Sequence, residues 1–248
     1  MTDIFSLSGK RAMVTGANTG IGQAIAVSLA AAGAEVICAG RSSSDETVSM
    51  IEKAGGRAYR LKLDLADPMA GRLIFEANAP VDILVNNAGI IRRADAIDFT
   101  EEDWDAVIDV NLKAVFFLCQ AFAKSVLARG GEGKIVNIAS LLSFQGGIRV
   151  PSYTASKSGV AGLTKLLANE WAARGINVNA IAPGYIATNN TEALRNDGAR
   201  NKAILERIPA GRWGEAEDIG GTAVFLCSHA AKYIHGAVLN VDGGWLAR

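Results

Sequence analysis

Residues 11–22, RAMVTGANTGIG, decide the fold class because they join a short apolar run to a helical pattern through a turn rich in glycine. Arg11–Val14 is compatible with a buried strand, and from Gly20 onward apolar residues recur every four positions as far as Leu29. A spacing of four places these residues on one face of a helix. The segment therefore predicts a strand, a tight turn and a helix, which is the context that a glycine-rich dinucleotide-binding turn requires.

Three glycines of this turn have separate roles in that interpretation. Gly16 can take the tight turn, Gly20 lets the backbone approach a pyrophosphate, and Gly22 lets the helix pack closely on the strand. The free N–H groups at the start of the helix then face the phosphates, and the helix dipole favours their negative charge. The order is G-x-x-x-G-x-G rather than G-x-G-x-x-G. Glycines at strand–helix turns also occur for purely structural reasons, so other residues must support the interpretation.

The rest of the chain continues the alternation of strand and helix patterns. Long helices are predicted at Gly20–Ala32, Trp104–Leu127, Tyr153–Trp171 and Ala216–Ser228. Further strands are predicted at Glu35–Ala39, Ala58–Leu63, Val81–Val85, Lys134–Ile138, Ile176–Ile181 and Ala237–Val241. Because strands separated by helices imply βαβ units, we predict an α/β fold. It is a Rossmann-type, doubly wound, mostly parallel sheet of seven strands in a single domain, residues 1–248.

One stretch, Thr188–Arg212, interrupts this alternation, since it is polar and has no clear periodicity. Long connections in compact domains are usually functional or mobile. We therefore predict that residues 188–212 are an excursion over the active site, on its substrate side. Trp213, between Gly211 and Gly214, is predicted to pack against this excursion rather than to stack on a nucleotide base.

Composition excludes several classes of protein. Lys and Arg number 25, Asp and Glu also number 25, and 50% of the residues are hydrophobic. A chain this apolar can bury a full core, which excludes intrinsic disorder, and zero net charge favours neither nucleic acid nor an anionic membrane as a partner. The cysteines and histidines lack disulfide or metal-ligand spacing, so no metal site is predicted. Neither a signal peptide nor a run of about 18 uncharged apolar residues is visible, which predicts a soluble, cytoplasmic protein.

Tyr153 and Lys157 are suited to acid–base chemistry, because a spacing of four places both on one helix face. A phenol has a pKa near ~10, and a neighbouring ammonium lowers that pKa by stabilising the phenolate. Ser140 lies just past the strand Lys134–Ile138, and Asn86–Gly89 (NNAG) follows the strand before it. Ligands of open α/β sheets bind at these carboxyl ends of the strands. We therefore expect these residues to meet in one cleft; the alternative is an exposed Tyr and Lys on a polar helix face.

TGANTGIG, NNAG, Asn111, Ser140 and the Tyr153–Lys157 pair together resemble the short-chain dehydrogenase/reductase family in its single-domain form, along the whole chain. The resemblance implies that the catalytic residues are Asn111, Ser140, Tyr153 and Lys157. Tyr153 is then the general acid–base that protonates the forming alkoxide or deprotonates the alcohol, and Ser140 hydrogen-bonds the substrate oxygen. Lys157 lowers the Tyr153 pKa and holds the nicotinamide ribose. Asn111 distorts its helix and anchors a water that leads from the lysine to solvent.

The resemblance also implies which residues contact a nicotinamide cofactor. Asp64 contacts the adenine with Leu65 beside it, and the Pro183–Thr188 segment closes on the carboxamide through the Ile186 backbone and the Thr188 hydroxyl. The implied set is Gly16, Asn18, Thr19, Gly20, Ile21, Gly22, Arg41, Asp64, Leu65, Asn87, Ala88, Gly89, Tyr153, Lys157, Pro183, Ile186 and Thr188.

The end of the second strand predicts which nicotinamide cofactor is used. NAD-preferring Rossmann proteins place an acid there, which binds the ribose 2′-hydroxyl. Here Gly40 takes that position and Arg41 follows it, with serines at 42–44. Because a guanidinium matches the geometry of a phosphate, we predict that NADP(H) is preferred, with NAD(H) as the alternative.

Four stretches, at 86–93, 143–159, 182–191 and 208–214, resemble one branch of the family. That branch interconverts alcohol and ketone on deoxy sugar acids of the 2-deoxy-gluconate and 2-dehydro-3-deoxy-gluconate type. A sugar acid needs a cation for its carboxylate and polar partners for its hydroxyls. We predict Arg93 and Arg149 for the carboxylate, each with a surface ion pair as its alternative. The full predicted substrate set is Arg93, Ser140, Gln145, Arg149, Tyr153 and Asn190, with Arg92 and Asn189 close by.

The oligomeric state and three other functions complete these expectations. The apolar run Leu112–Cys119 exceeds what one helix face on a sheet needs, which suggests a subunit interface. The resemblance implies a homotetramer in which Trp245–Arg248 reaches a neighbouring subunit. Three alternatives stay open: a non-catalytic NADP(H) sensor, an isomerase or dehydratase that uses its cofactor transiently, and a 3-oxoacyl thioester reductase of the same family.

Overall fold

One parallel sheet of seven strands organises the chain, and the computed structural model describes it within residues 3–248. The strands are β1 (Arg11–Thr15), β2 (Glu35–Gly40), β3 (Arg57–Lys62), β4 (Ile83–Asn86), β5 (Gly133–Ile138), β6 (Ile176–Pro183) and β7 (Val238–Val241). They lie in the order β3-β2-β1-β4-β5-β6-β7. The order reverses between β1 and β4, which is the switch point where doubly wound sheets bind ligands. The predicted Rossmann-type fold class is confirmed.

Nine α-helices lie in the part of the chain that the structure describes. They are α1 (Gly20–Ala31), α2 (Asp45–Lys53), α3 (Pro68–Ala77), α4 (Glu101–Ile108), α5 (Ala114–Ala128), α6 (Pro151–Trp171), α7 (Glu192–Asn196), α8 (Gly198–Arg207) and α9 (Glu217–Cys227). The sequence does not predict α2 or α3, because each is short and buries few side chains. In α2 only Thr47 and Ile51 are buried.

Alternate strand residues point into two separate apolar layers, one on each face of the sheet. Met13 of β1 packs in the layer that contains Leu118 of α5 and Leu167 of α6. Its neighbour Val14 packs in the other layer, with Ile25 of α1 and residues of α9. All eight residues of β6 are buried. Burial on both faces is the reason why the strands read as continuous apolar runs rather than as alternating patterns.

The predicted helix Trp104–Leu127 is part of a longer helical stretch, Glu101–Ala128, which a π turn at Asp109–Lys113 interrupts. By length and composition this stretch could cross a membrane, with a mean hydropathy of 1.6 over its most apolar 18 residues. Half of that window is buried inside the protein, where Phe122 and its neighbours pack on the sheet. Such packing is typical of a core helix, which satisfies the same length criterion.

The excursion Thr188–Arg212, whose sequence shows no clear periodicity, contains α7, α8 and a short 3-10 turn. The Asp197 side chain caps α8 by accepting hydrogen bonds from the backbone N–H groups of Ala199 and Arg200, both at 3.1 Å. Of the ten residues of α8, only Ile204 is buried. A helix that buries one side chain shows too narrow an apolar stripe for its periodicity to be recognised.

Trp245 is the first of the C-terminal residues that are expected to reach a neighbouring subunit, and it packs within its own chain. Its side chain is 4% exposed and packs with Leu141, Ile204 and Ile208 of its own chain. Its indole N–H also donates to the side chain of Gln145 at 3.2 Å. The contact of residues 245–248 with a neighbouring subunit stays a prediction.

Candidate active site

A cleft of about 610 Å³ opens at the carboxyl ends of β1 to β5, where the switch point lies. Sixteen predicted cofactor, catalytic or substrate residues line it: Gly16, Asn18, Thr19, Gly20, Ile21, Gly22, Arg41, Asp64, Leu65, Asn87, Ala88, Gly89, Tyr153, Lys157, Thr188 and Asn190. Arg92 and Asn189 line it as well. The cleft is therefore a single space that joins the glycine turn to the Tyr153–Lys157 pair.

The glycine turn is shaped so that no side chain fills the near end of this cleft. Gly16 and Gly20 have positive φ angles of 66° and 56°, which glycine adopts without steric cost. A Cβ on Gly22 would lie 2.2 Å from the carbonyl oxygen of Gly16. A Cβ on Gly16 would lie 2.9 Å from the side-chain nitrogen of Asn87. The turn thus needs glycine at both positions and presents bare backbone at the start of α1.

Thr15 holds the glycine turn and the NNAG segment together, and sequence analysis did not select it. Its buried hydroxyl oxygen accepts the N–H groups of Asn87 and Ala88, each at 3.0 Å. The Asn87 side chain returns a hydrogen bond to the Thr15 carbonyl at 2.9 Å. A hydroxyl at the end of an apolar strand was the available signal, because a buried polar group needs a partner.

Tyr153 and Lys157 lie on the first two turns of α6, which begins at Pro151, a residue well suited to the first helical position. The Lys157 side chain is buried, and its Nζ donates to the carbonyl of Ile138 at 2.6 Å. The same Nζ lies 5.6 Å from the centroid of the Tyr153 ring. The strand end β5 therefore fixes the ammonium beside the phenol at the cleft.

The pKa values of this pair differ from the expectation for Tyr153. Burial lowers the pKa of Lys157 to about 8. Burial also raises the pKa of Tyr153, while the hydroxyl of Ser140 and the charge of Arg93 act to lower it. The pKa of Tyr153 is therefore raised, whereas the resemblance implies that Lys157 lowers it. Burial of the phenolate outweighs the stabilisation that Ser140 and Arg93 provide.

Ser140 and Asn111 support the pair from two sides. Ser140 follows β5, and its hydroxyl accepts the N–H of Leu142 at 3.2 Å, which begins a 3-10 turn. Asn111 lies within the π turn and is 1% exposed. Its amide accepts from the N–H of Ile90 at 2.8 Å, donates to the carbonyl of Ile90 at 2.9 Å and donates to Ser156 at 3.4 Å. It thereby fastens the residues that follow NNAG to α6. Single π turns inside helices are frequent at functional sites.

The predicted arginines fall into two groups. Arg92 and Arg149 form ion pairs with Asp103 and Asp95, each at 3.0 Å. Arg149 also has a positive φ angle of 64°, a strained conformation for a residue with a side chain. Arg93 instead donates to the backbone carbonyl of Asn190 at 3.4 Å. Within residues 3–248 no ion pair is formed by Arg93 or by the exposed Arg41.

Several predicted residues lie beside the cleft rather than in its wall. They are Arg93, Asn111, Ser140, Gln145, Arg149, Pro183 and Ile186. Ile186 lines a smaller cavity of about 230 Å³ behind the Thr188 segment. Trp213 packs the excursion as predicted, because its ring stacks edge-on against Tyr185 and its N–H donates to Asn201 at 2.7 Å.

The cleft also has lining residues that sequence analysis missed. They are Thr15, Ala39, Leu63, Ala66, Ile90, Ala106, Val110 and Ile138, while Gly40 and Ser42, on which the cofactor prediction drew, line the cleft as well. Most follow or end a predicted strand, and that position was a usable signal. Ala106 and Val110 gave none, because only the packing of α4 against α6 brings them to the cleft.

No metal centre accompanies this site in the described chain. Among residues 3–248, no group of three or more His, Cys, Asp or Glu side chains is arranged to hold an ion. The cysteines Cys38, Cys119 and Cys227 are buried and free, and burial raises the pKa of each to about 12. These thiols are protonated at neutral pH and pack as small apolar side chains.

Comparisons with known proteins agree with this geometry. Residues 16–246 match the protein-family model described as enoyl-(acyl carrier protein) reductase. The chain is 59% identical to a 2-dehydro-3-deoxy-D-gluconate 5-dehydrogenase of Bacillus subtilis, over 99% of this chain and 98% of that protein. It also resembles a crystal structure from Agrobacterium tumefaciens with bound NADP, provisionally described as a 2-deoxy-D-gluconate 3-dehydrogenase. That similarity has 73% identity and a TM-score of 0.98, with both chains covered completely.

A third relative was solved with a second small molecule as well as the cofactor. It is a gluconate 5-dehydrogenase from Burkholderia cenocepacia in complex with NADP and tartrate. It is 40% identical to this chain with a TM-score of 0.92, over 99% of this chain and 98% of the other. The same fold thus accompanies sugar-acid dehydrogenases at three levels of identity.

Proposed function

The chain belongs to the short-chain dehydrogenase/reductase family, and we propose that it interconverts an alcohol and a ketone on a deoxy sugar acid with NADP(H). One observation carries this proposal: a buried Lys157 and a Tyr153 phenol stand at the far end of a cleft whose near end is bare glycine backbone. This arrangement brings an acid–base group and a dinucleotide-binding turn into one space. The relatives named above act on substrates of the same class.

The residues present fit a nicotinamide dinucleotide. Side chains at Gly16 or Gly22 would collide with backbone and with Asn87, so the turn requires glycine there and lines the cleft at the start of α1 with backbone. The N–H groups at that helix start suit the pyrophosphate. When bound, the reduced cofactor supplies the hydride that adds to the substrate carbonyl carbon.

Tyr153 is the acid that completes the reduction. Its hydroxyl gives a proton to the carbonyl oxygen as the alkoxide forms, and in the oxidative direction the phenolate takes that proton back. The Ser140 hydroxyl holds the same oxygen by a hydrogen bond that strengthens as charge develops. Lys157 keeps a positive charge beside the phenol, and Asn111 keeps the segment after NNAG in its place. Because the pKa of Tyr153 is raised, the side chain is a neutral phenol at neutral pH and has a proton to donate.

Arg93 is the better candidate for the carboxylate of the substrate. Its charge already acts on Tyr153, and its guanidinium is held by a neutral carbonyl of Asn190 rather than by an acid. A charge that no acid compensates is available to an anion. Arg149 stays a candidate of lower rank, because Asp95 already neutralises it. The Gln145 side-chain oxygen accepts the Trp245 indole N–H, which leaves the amide nitrogen of Gln145 as the group that can donate to a substrate oxygen.

NADP(H) is preferred in this proposal because of the end of β2. Gly40, Arg41 and Ser42 line the cleft there, and no acid occupies the position of Gly40. Arg41 is exposed and forms no ion pair with any residue of 3–248. Its guanidinium is therefore free to take a 2′-phosphate. Two of the related structures contain NADP.

The proposal extends to the domain organisation, the oligomeric state and the cellular location of the protein. Residues 1–248 act as a single cofactor-binding and catalytic domain, with 188–212 as its substrate side. The half-buried rings of Phe116 and Phe117 on α5 support a homotetramer, because a surface helix with aromatic side chains on its outer face gains from being covered. We place the protein in the cytoplasm, where phosphorylated nicotinamide cofactors and sugar acids meet.

A substrate screen with the purified wild-type protein tests this function. A 2-dehydro-3-deoxy-gluconate-type keto acid, a simple ketone and a 3-oxoacyl thioester are each offered with NADPH and NADH, and loss of the reduced cofactor is followed by absorbance. We expect kcat/KM for the keto acid to exceed that for the thioester by about 100-fold or more. A higher value for the thioester would reassign the substrate. Tight NADPH binding without turnover would favour a sensor, and product without net cofactor conversion would favour an isomerase or dehydratase.

A further inference from the structure

Arg195 lies in α7, outside every motif that sequence analysis selected. Its side chain is half-buried, and Nη2 donates to the carbonyl of Thr188 at 3.1 Å. Its Nε is buried without a hydrogen-bond partner among residues 3–248. No acid of that range forms an ion pair with it. A buried N–H group without a hydrogen-bond partner is costly, so the position of Arg195 against Thr188 requires an explanation.

The Thr188 carbonyl belongs to the segment that closes one side of the cleft. Thr188, Asn189 and Asn190 all line the cleft. On its inner side, the methyl carbon of Thr188 lies 3.3 Å from the point where a Cβ on Gly20 would stand, so the segment rests against the glycine turn. On its outer side, Arg195 contacts the backbone. The Arg195 guanidinium therefore binds the backbone of a segment that lines the cleft beside the glycine turn.

Within the segment, the local bonds hold only its own shape. The N–H of Thr191 donates to the Thr188 carbonyl at 3.1 Å, and the Thr191 hydroxyl donates to the carbonyl of Ile186 at 2.7 Å. These bonds join residues within five positions of one another, so they form the turn itself. At its start the N–H of Ala187 donates to the carbonyl of Gly214 at 2.7 Å, and at its far end Arg93 donates to the carbonyl of Asn190 at 3.4 Å. Arg195 ties the turn to α7, and neighbouring Leu194 packs α7 into the apolar cluster around Trp245.

We propose that Arg195 is a positioning residue for the reaction. Through the Thr188 carbonyl it holds residues 188–190 against the glycine turn, so that the closed side of the cleft stays in place while hydride and proton are transferred. This inference rests on the proposed function. Without the guanidinium the turn keeps its internal bonds but loses its tie to α7, and the closed arrangement is populated for a smaller fraction of the time.

Three variants separate this role from a merely structural one. Arg195→Met keeps the apolar stem and removes every donor, and Arg195→Lys restores one charged donor. Arg200→Met is the matched control, because Arg200 is an exposed arginine of the next helix, and its side chain forms no ion pair in the described structure.

The first measurement is hydrogen exchange of the peptide that covers residues 186–196, in the full chain without added ligand and again with NADPH. We expect exchange to be about tenfold faster in Arg195→Met than in the wild type, closer to the wild type in Arg195→Lys, and unchanged in Arg200→Met. Unchanged exchange in Arg195→Met would overturn the proposal. Should that variant not fold, Arg195→Lys must still exchange measurably faster than the wild type, and equal rates would be the contrary result.

The second measurement divides kcat from KM for the deoxy keto acid that the wild type turns over best. We expect kcat of Arg195→Met to fall about tenfold with little change in KM, and Arg195→Lys to recover part of kcat. A raised KM with normal kcat would mean that Arg195 binds substrate directly and would overturn a positioning role. If the wild type itself turns over no sugar acid, the proposed function fails, while the exchange measurement still decides whether Arg195 holds the segment.

Discussion

The cleft has a proposed catalytic corner and an exposed arginine rim, and the two are built in opposite ways. The corner consists of Asn111, Ser140, Tyr153 and Lys157, and the rim of Arg41, Arg92, Arg93 and Arg149. The corner side chains are buried or half-buried, and backbone groups hold two of them, since Lys157 donates to the carbonyl of Ile138 and Asn111 bonds to Ile90. The rim residues project from loops, and their exposed side chains differ in whether an acid neutralises them.

This difference separates the chemistry from the choice of ligand. The corner derives its geometry from strand ends and from α6, so it is the same for every substrate that enters. The rim supplies positive charge, and only the arginines that lack an acid, Arg41 and Arg93, have that charge available for a ligand. Changes in the corner should therefore lower turnover with all substrates, and changes in the rim should alter which cofactor or acid is accepted.

The sharpest test of the corner is Tyr153→Phe, which removes one oxygen atom and keeps the ring. We expect kcat to fall about 10²–10⁴-fold, the usual contribution of a positioned acid–base group, while NADPH binding stays measurable by fluorescence titration. Near-normal turnover in this variant would remove the assigned mechanism and with it the distinction between corner and rim.

The buried ammonium of Lys157 gives the corner a signature in stability. Its pKa is lowered by burial from 10.5 to about 8, so the unfolded chain binds this proton more tightly than the folded one. Below pH 8 folding carries the cost of burying the charge, and that cost is relieved as pH rises toward 10.5. Relative to Lys157→Met, the wild-type free energy of unfolding should therefore rise by about 3 kcal/mol across this window. Chemical denaturation of both proteins measures it, and parallel curves would contradict the buried charge.

At the rim, Arg41→Asp tests the choice of cofactor. An acid at this position repels a 2′-phosphate and can accept a hydrogen bond from a ribose hydroxyl. The ratio of kcat/KM with NADPH to kcat/KM with NADH should fall about 100-fold. Arg200→Asp, which makes the same charge change on an exposed arginine of α8, should leave that ratio unchanged. A wild-type ratio already below one would show that Arg41 does not select the phosphate.

A smaller effect separates two arginines of the rim. Arg93→Ala should raise KM for the sugar acid about tenfold, because a charge-assisted hydrogen bond to the carboxylate is lost. Arg149→Ala should change KM by less than about twofold, since Asp95 already pairs with this exposed side chain. The opposite order would assign the carboxylate to Arg149 and would mean that its ion pair opens when substrate binds.

The corner was predictable from sequence because its signals are local. The helical spacing of Tyr153 and Lys157 and the glycines of the turn act within a few residues, and each follows a strand with a clear apolar run. Ile138 and Thr15 were not selected, although both touch the site, because their contacts join residues distant in the chain. Arg195 was missed because it lies in the excursion, where the sequence shows no clear periodicity that would indicate which side chains face the cleft.

The seven strands and the four long helices could be predicted from the sequence, together with the edge of the sheet at which ligands bind and the residues able to carry acid–base chemistry. Tertiary structure decided which arginine has an uncompensated charge, that the Tyr153 pKa is raised rather than lowered, and that Trp245 packs within its own chain. The physical reason is the distance along the chain over which each interaction acts. Helical and strand periodicity is set by near neighbours, whereas desolvation and ion pairing depend on groups that only folding brings together.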